Sequence, residues 1–268
     1  MKILILGNSH TAMMIQAADD GLPPGMDVTF LAKPGPGPEG LRLDGKTLVA
    51  EDPDLIAFLD RTGMPRSVDL SAYDAVALVA MGITVYHAAG LVRGHALPGW
   101  PSADGIGALL KDDFQPLPRP LLSVPAATAS LHALAEGSLS NRLLGMVRQA
   151  TDRPVFVVPQ PYPSAGLLTR TDRAQALRDV HKAGDGAAIA ALLAAAQARA
   201  VATVPDAHVL PRPEASVRHG FLTDPAWMRG SLRLGGATGH GEDDVLHANA
   251  SYGRALFDLI AQATEKFE

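Results

Sequence analysis

Residues 2–14 read "KILILGNSHTAMM", and this stretch decides how the rest of the chain is read. A short, unbroken apolar run is stopped by Gly7, Asn8, Ser9 and His10. Such a run bounded by turn-forming residues reads as a strand buried on both faces, and the residues from 11 to 19 read as the helix that follows it. A strand, a tight polar turn and a helix form the opening unit of a parallel sheet. Ligands of open parallel sheets gather outside the carboxyl ends of the strands, which is where Ser9 falls. The helix behind it aims its free N-terminal amides toward the same edge.

The alternation repeats along the chain. Further apolar runs at 28–31, 75–80, 155–158 and 207–210 read as strands, and residues 54–61, 141–151, 173–182, 186–203 and 250–268 read as helices. Near-continuous hydrophobicity in the strands suits a parallel sheet covered on both faces. The predicted fold is therefore α/β: a single doubly wound three-layer sandwich with a central five-stranded parallel sheet, flavodoxin-like in plan. At 268 residues the chain accommodates one such domain over 1–268. "DPD" before "LIAFLD" and "TDR" before "AQALRDV" supply acidic helix caps. "AKPGPGPEG" reads as a Gly/Pro loop, and long irregular insertions are expected near 86–108 and 211–243.

Composition narrows the chemistry. Apolar residues make up 47% of the chain and charged residues 19%, an ordinary globular balance, and the formal net charge of -5 disfavours a nucleic-acid partner. The chain has no cysteine, which excludes disulfides, thiolate metal sites and cysteine nucleophiles. No apolar window reaches the length of a membrane span and no secretory segment opens the chain, so a cytoplasmic protein without membrane contact is expected. There is no dinucleotide fingerprint, no phosphate-binding P-loop and no G-x-S-x-G elbow, and no cofactor is expected.

A serine at a sheet edge needs a base before it becomes a nucleophile. "GEDDVLHANASYGRAL", near the other end of the chain, offers one. Asp244 and His247 are close enough in sequence for the carboxylate to fix the imidazole tautomer, leaving the other ring nitrogen to face a serine. Each half alone is a weak signal, and the two together on an alternating α/β scaffold reinforce each other.

"GNSH" after the first strand and "DVLHANASYG" near the C-terminus resemble the first and last conserved blocks of the SGNH (GDSL-like) hydrolase superfamily. The resemblance implies Ser9 as nucleophile, His247 as general base and Asp244 as the carboxylate that orients it, with Asp243 as a neighbour able to exchange with Asp244. It also implies an oxyanion hole made by the Ser9 amide, a glycine amide after the second strand and an asparagine after the third. Gly35, Gly37 and Gly40 are the glycine candidates, of which Gly37 is taken. The third strand is followed by "MGITVYHAAG", with no asparagine, so Thr84 is assigned as the substitute donor and His87 is the other candidate.

The function implied is ester hydrolysis through an acyl-serine, on a small-molecule ester with acylated carbohydrate among the candidates. Acyl transfer to an alcohol and a non-catalytic binding protein on the same fold are the alternatives. His87, and Gln160 and Tyr162 in "PQPYPSAG" after the fourth strand, are candidate substrate contacts. Joining His240, Asp243 or Asp244, and His247 around zinc matches no compact zinc signature, and no metal is assigned. His10 is expected to make a structural hydrogen bond. Trp100 and Trp227 are expected to pack.

Overall fold

The computed structural model describes residues 1–104, 119–170, 174–236 and 238–267. Its centre is a parallel sheet of β1 (Lys2–Gly7), β2 (Asp27–Ala32), β6 (Ala75–Val79), β7 (Val155–Val158) and β8 (Ala207–Val209), in the order β2-β1-β6-β7-β8. Between β2 and β6 the chain adds an antiparallel three-stranded sheet of β3 (Leu41–Asp44), β4 (Thr47–Ala50) and β5 (Ser67–Asp69). A two-residue pair, β9 (Val217–Arg218) and β10 (Leu222–Thr223), lies beyond β8 in sequence. The helices are α1 (Ala12–Asp19), α2 (Pro53–Thr62), α3 (Val85–Gly94), α4 (Val124–Glu136), α5 (Leu139–Ala150), α6 (Gln175–Ala183), α7 (Gly186–Val201) and α8 (Ala250–Thr264).

Strands β1, β6 and β7 bury both faces because their alternate residues serve different helix layers. Ile3, Ile5, Ala75, Ala77 and Phe156 pack with Met13 and Met14 of α1 and with Tyr252, Leu256 and Phe257 of α8. Leu4, Leu6, Val76, Leu78 and Val155 pack on the opposite face with Leu55 and Leu59 of α2 and Leu143 and Leu144 of α5. The result is a doubly wound, flavodoxin-like α/β sandwich. The strand order reverses direction between β1 and β6, so the ends of those two strands form the crevice where such sheets bind ligands.

Several sequence expectations change. The irregular insertion expected from residue 86 begins later, because α3 runs to Gly94, and residues 105–108 of that insertion lie outside the described residues. Helix α3 persists despite Gly90 and Gly94 because Val85, Ala88, Ala89 and Val92 form a buried stripe at helical spacing. Within 211–243 only short 3-10 turns and the β9–β10 pair are regular, and residue 237 lies outside the described residues. The same holds for residue 173 of the helix expected at 173–182, for the "TDR" cap and for Glu268. Among the described residues, no helix is long and apolar enough to cross a membrane.

Candidate active site

The turn after β1 holds Ser9 in a fixed place. Asn8 donates its side-chain amide to the Ala80 carbonyl at the end of β6 (2.7 Å) and accepts the His10 amide at 3.1 Å. One side chain thus ties the two strands of the crevice together and caps the 3-10 turn Ser9–Thr11. Gly7 is required here, because a Cβ would come within 2.0 Å of the Thr11 hydroxyl and 3.1 Å of Val79. Ser9 is left half-buried at the sheet edge.

The second half comes from the loop before α8. The Asn249 side chain caps α8 by accepting the Ser251 amide, and its NH2 group donates to the carbonyls of Ala226 and Arg229, both at 2.9 Å. Ser164, on the Pro-rich exit from β7, donates its amide to the Val245 carbonyl at 2.8 Å. These braces bring His247 Nε2 to 3.1 Å from Ser9 Oγ and His247 Nδ1 to 2.9 Å from Asp244 Oδ2. A carboxylate only accepts, so Nδ1 carries the proton and the Nε2 lone pair faces the serine hydroxyl. Asp244 Oδ1 also accepts the amides of Leu246 (2.6 Å) and His247 (2.9 Å). Burial alone would raise the Asp244 carboxyl, but the hydrogen bonds from His247 and Leu246 outweigh it and hold the group below its ordinary range.

Two more histidines flank the pair. The His10 ring lies 4.8 Å from that of His247 at 24°, and the His240 ring lies 3.9 Å away at 8°. His10 makes a structural hydrogen bond through its backbone amide, to Asn8 Oδ1, while its ring Nδ1 is buried without a partner. Burial, and then the nearby His247, push His10 down to about 3. It is therefore neutral at ordinary pH.

The remaining candidates divide. Gly37 is buried, its φ is 108°, and a Cβ there would meet Met81 Sδ at 2.9 Å, which puts it against the end of β6. Gly35 and Gly40 are exposed. Thr84 and His87 engage each other at the start of α3: the Thr84 amide donates to His87 Nδ1 at 3.0 Å, and its hydroxyl lies 3.1 Å from the same nitrogen. Gln160 accepts Arg212 through its backbone carbonyl, and Tyr162 is buried with the Arg212 guanidinium 3.9 Å above its ring. Neither has a described hydrogen bond to Ser9, Asp244 or His247. Asp243 is exposed and sits 3.8 Å from Arg170, so Asp244 and not its neighbour faces the imidazole. Trp100 is buried, and Trp227 packs edge-on against Tyr252.

A cleft of about 710 Å³ adjoins the site, with His240 and Asp244 in its wall together with Ser164, Arg170, Arg229 and Ser231. His240, Asp244 and His247 also bring nitrogen and carboxylate atoms within 4.8 Å of one another, a set able in composition to hold a metal ion. Their geometry argues against chelation. Imidazole lone pairs lie in the ring plane, and two rings 8° from parallel point them side by side instead of at one centre.

No protein-family model and no curated protein matches the chain. Among solved structures, it is similar to a GDSL-like lipase from Bacteroides thetaiotaomicron, at 12% identity and a TM-score of 0.42, over 100% of this chain and 89% of that one. It is also similar to a "putative acylhydrolase" from Bacteroides fragilis, at 12% identity and a TM-score of 0.40, over 99% of this chain and 87% of that one.

Proposed function

We propose that the chain is a serine hydrolase of carboxylic esters, of the SGNH type that its end motifs resemble, folded as one domain over 1–268. The observation that carries this reading is the relay Ser9 Oγ, His247 Nε2, His247 Nδ1, Asp244 Oδ2, with contacts of 3.1 and 2.9 Å. Ser9 Oγ attacks the ester carbonyl as its proton passes to His247 Nε2, and Asp244 stabilises the imidazolium that forms. The tetrahedral intermediate collapses, the C–O bond to the alcohol breaks, and His247 returns the proton to the departing oxygen. Water repeats the sequence on the acyl-serine, releasing the acid.

The Ser9 and Gly37 amides are the oxyanion donors in this reading. The Thr84 hydroxyl joins them only by leaving His87. A missing donor of this kind costs about 2.7 to 4 kcal/mol at the transition state, so turnover is expected to be slow unless Thr84 makes that move. The substrate inferred is a small-molecule ester, with acylated carbohydrate among the candidates. His87, exposed with only its Nδ1 engaged, and Gln160, engaged only through its backbone carbonyl, are proposed substrate contacts, and Tyr162, which is buried, joins them only if substrate binding uncovers it.

Labelling with a fluorophosphonate probe tests the assignment. Wild type should be labelled at Ser9, and Ser9→Ala should lose both labelling and turnover of short nitrophenyl esters. An active Ser9→Ala would sink the reading. A folded wild type with neither activity would point to a binding protein, and acyl products on an added alcohol would point to a transferase.

A further inference from the structure

The base in this site does not face its serine alone. His240 lies flat on His247 at 3.9 Å, and its Nδ1 is 3.0 Å from the same Asp244 Oδ2 that His247 holds. Its side chain is 10% exposed, its backbone amide donates to the Ser231 carbonyl at 2.9 Å, and its Nε2 is buried without a well-formed hydrogen bond, the Leu232 backbone being the polar group beside the ring. Burying a ring nitrogen without a well-formed hydrogen bond costs free energy that an apolar side chain would avoid, so packing by itself does not account for a histidine here. His240 forms part of the wall of the 710 Å³ cleft, whereas His247 does not.

We propose that His240 is a positioning residue for the base: its ring fixes the plane of His247 and screens it from the cleft, while its Nδ1 edge takes a share of the Asp244 charge. The inference rests on the reading of His247 as general base given above.

The argument is electrostatic as well as steric. Asp244 Oδ1 is occupied by two amides, so Oδ2 is the oxygen that answers to both imidazoles. The ionisable groups that face this centre are His10 on the far side of His247, Asp244, His240, Arg233 beside His240, and Tyr86 near Asp244. Burial, followed by the neighbouring His247, lowers the His240 titration, which disfavours a charge on its ring. With its proton on Nδ1, an uncharged His240 would set the positive end of an N–H dipole 3.0 Å from Asp244 Oδ2. Removing it leaves the carboxylate undivided for the His247 imidazolium, which favours the protonated, inactive base.

The test uses the full chain with His240→Phe, which keeps a flat ring over His247 but removes Nδ1, and His240→Ala, which removes both. The rate of fluorophosphonate labelling is followed against pH, and the His247 ring is titrated by NMR, which needs no turnover. The acid limb is expected to move to higher pH by about half a unit or more in both variants. The plateau should fall by about tenfold in His240→Ala and clearly less in His240→Phe, because only the former frees the ring plane. Loss of amplitude with an unmoved limb would reduce His240 to packing and overturn the proposal. A wild type that resists labelling would defeat the hydrolase reading alone, since the NMR titration still reports whether His240 acts on His247. Should one variant fail to fold, the other still carries the limb shift.

Discussion

His10 shows what a single residue contributes here. Its folded value of about 3 lies far below the ordinary 6.5 of an exposed histidine. Between those two values the unfolded chain binds a proton that the folded chain refuses, so stability attributable to His10 is complete above pH 6.5 and drains away as pH falls. The slope amounts to about 2 to 3 kcal/mol over the two units from pH 6.5 to 4.5. His10→Phe should flatten the acid side of the stability profile by that much, as read from urea midpoints at the two pH values, and an unchanged slope would refute the account. At this scale the sequence spoke unevenly. Asp244 and His247 were legible because a D-x-x-H spacing puts a carboxylate beside an imidazole through one turn of chain. The facing of His10 and His240 onto His247 was not, because ring stacking set by irregular loop conformation leaves no periodic trace.

Among the elements, helices α1 and α8 set the spacing of the proposed nucleophile and base, since Ser9 and His247 stand just ahead of their N-termini. The two helices cross at Gly253, where a Cβ would lie 2.1 Å from the Met13 carbonyl oxygen and 3.0 Å from the Ala17 Cβ. Backbone cannot swing aside as a flexible side chain can, so Gly253→Ala must push the helices apart. We expect a loss of about 1 to 3 kcal/mol in urea unfolding, and a fall in labelling rate larger than the unfolded fraction explains, because the serine and its base separate together with the helices. Full labelling in a destabilised but folded variant would break this link. Strands β1, β6 and β7 could be read directly as unbroken apolar runs, whereas Thr29 in β2 and His208 in β8 interrupt the signal at the sheet edges. Strands β3 to β5 could not, because "LRLD" and "TLVA" are short and only half-buried. Helix α4 was hidden by its alanines and by Pro125 in its first turn, a position that suits a helix start as well as a loop.

At the scale of the whole molecule, both faces of the sheet must be covered before the crevice exists. Tyr252, Leu256, Phe257 and Ile260 of α8 complete one face, and α8 also carries His247 into place. Labelling at Ser9 and loss of tertiary signal should therefore share one urea midpoint. Labelling lost well before unfolding would show that the loop from residue 239 to 249 opens on its own. The 238-residue separation of Ser9 and His247 has a further consequence during synthesis. At about 5 to 20 residues per second, the ribosome delivers the base about 10 to 50 seconds after the serine. On the proposed mechanism, the nascent chain then carries the Ser9 hydroxyl without its base, and no ester is expected to be trapped on a half-made protein.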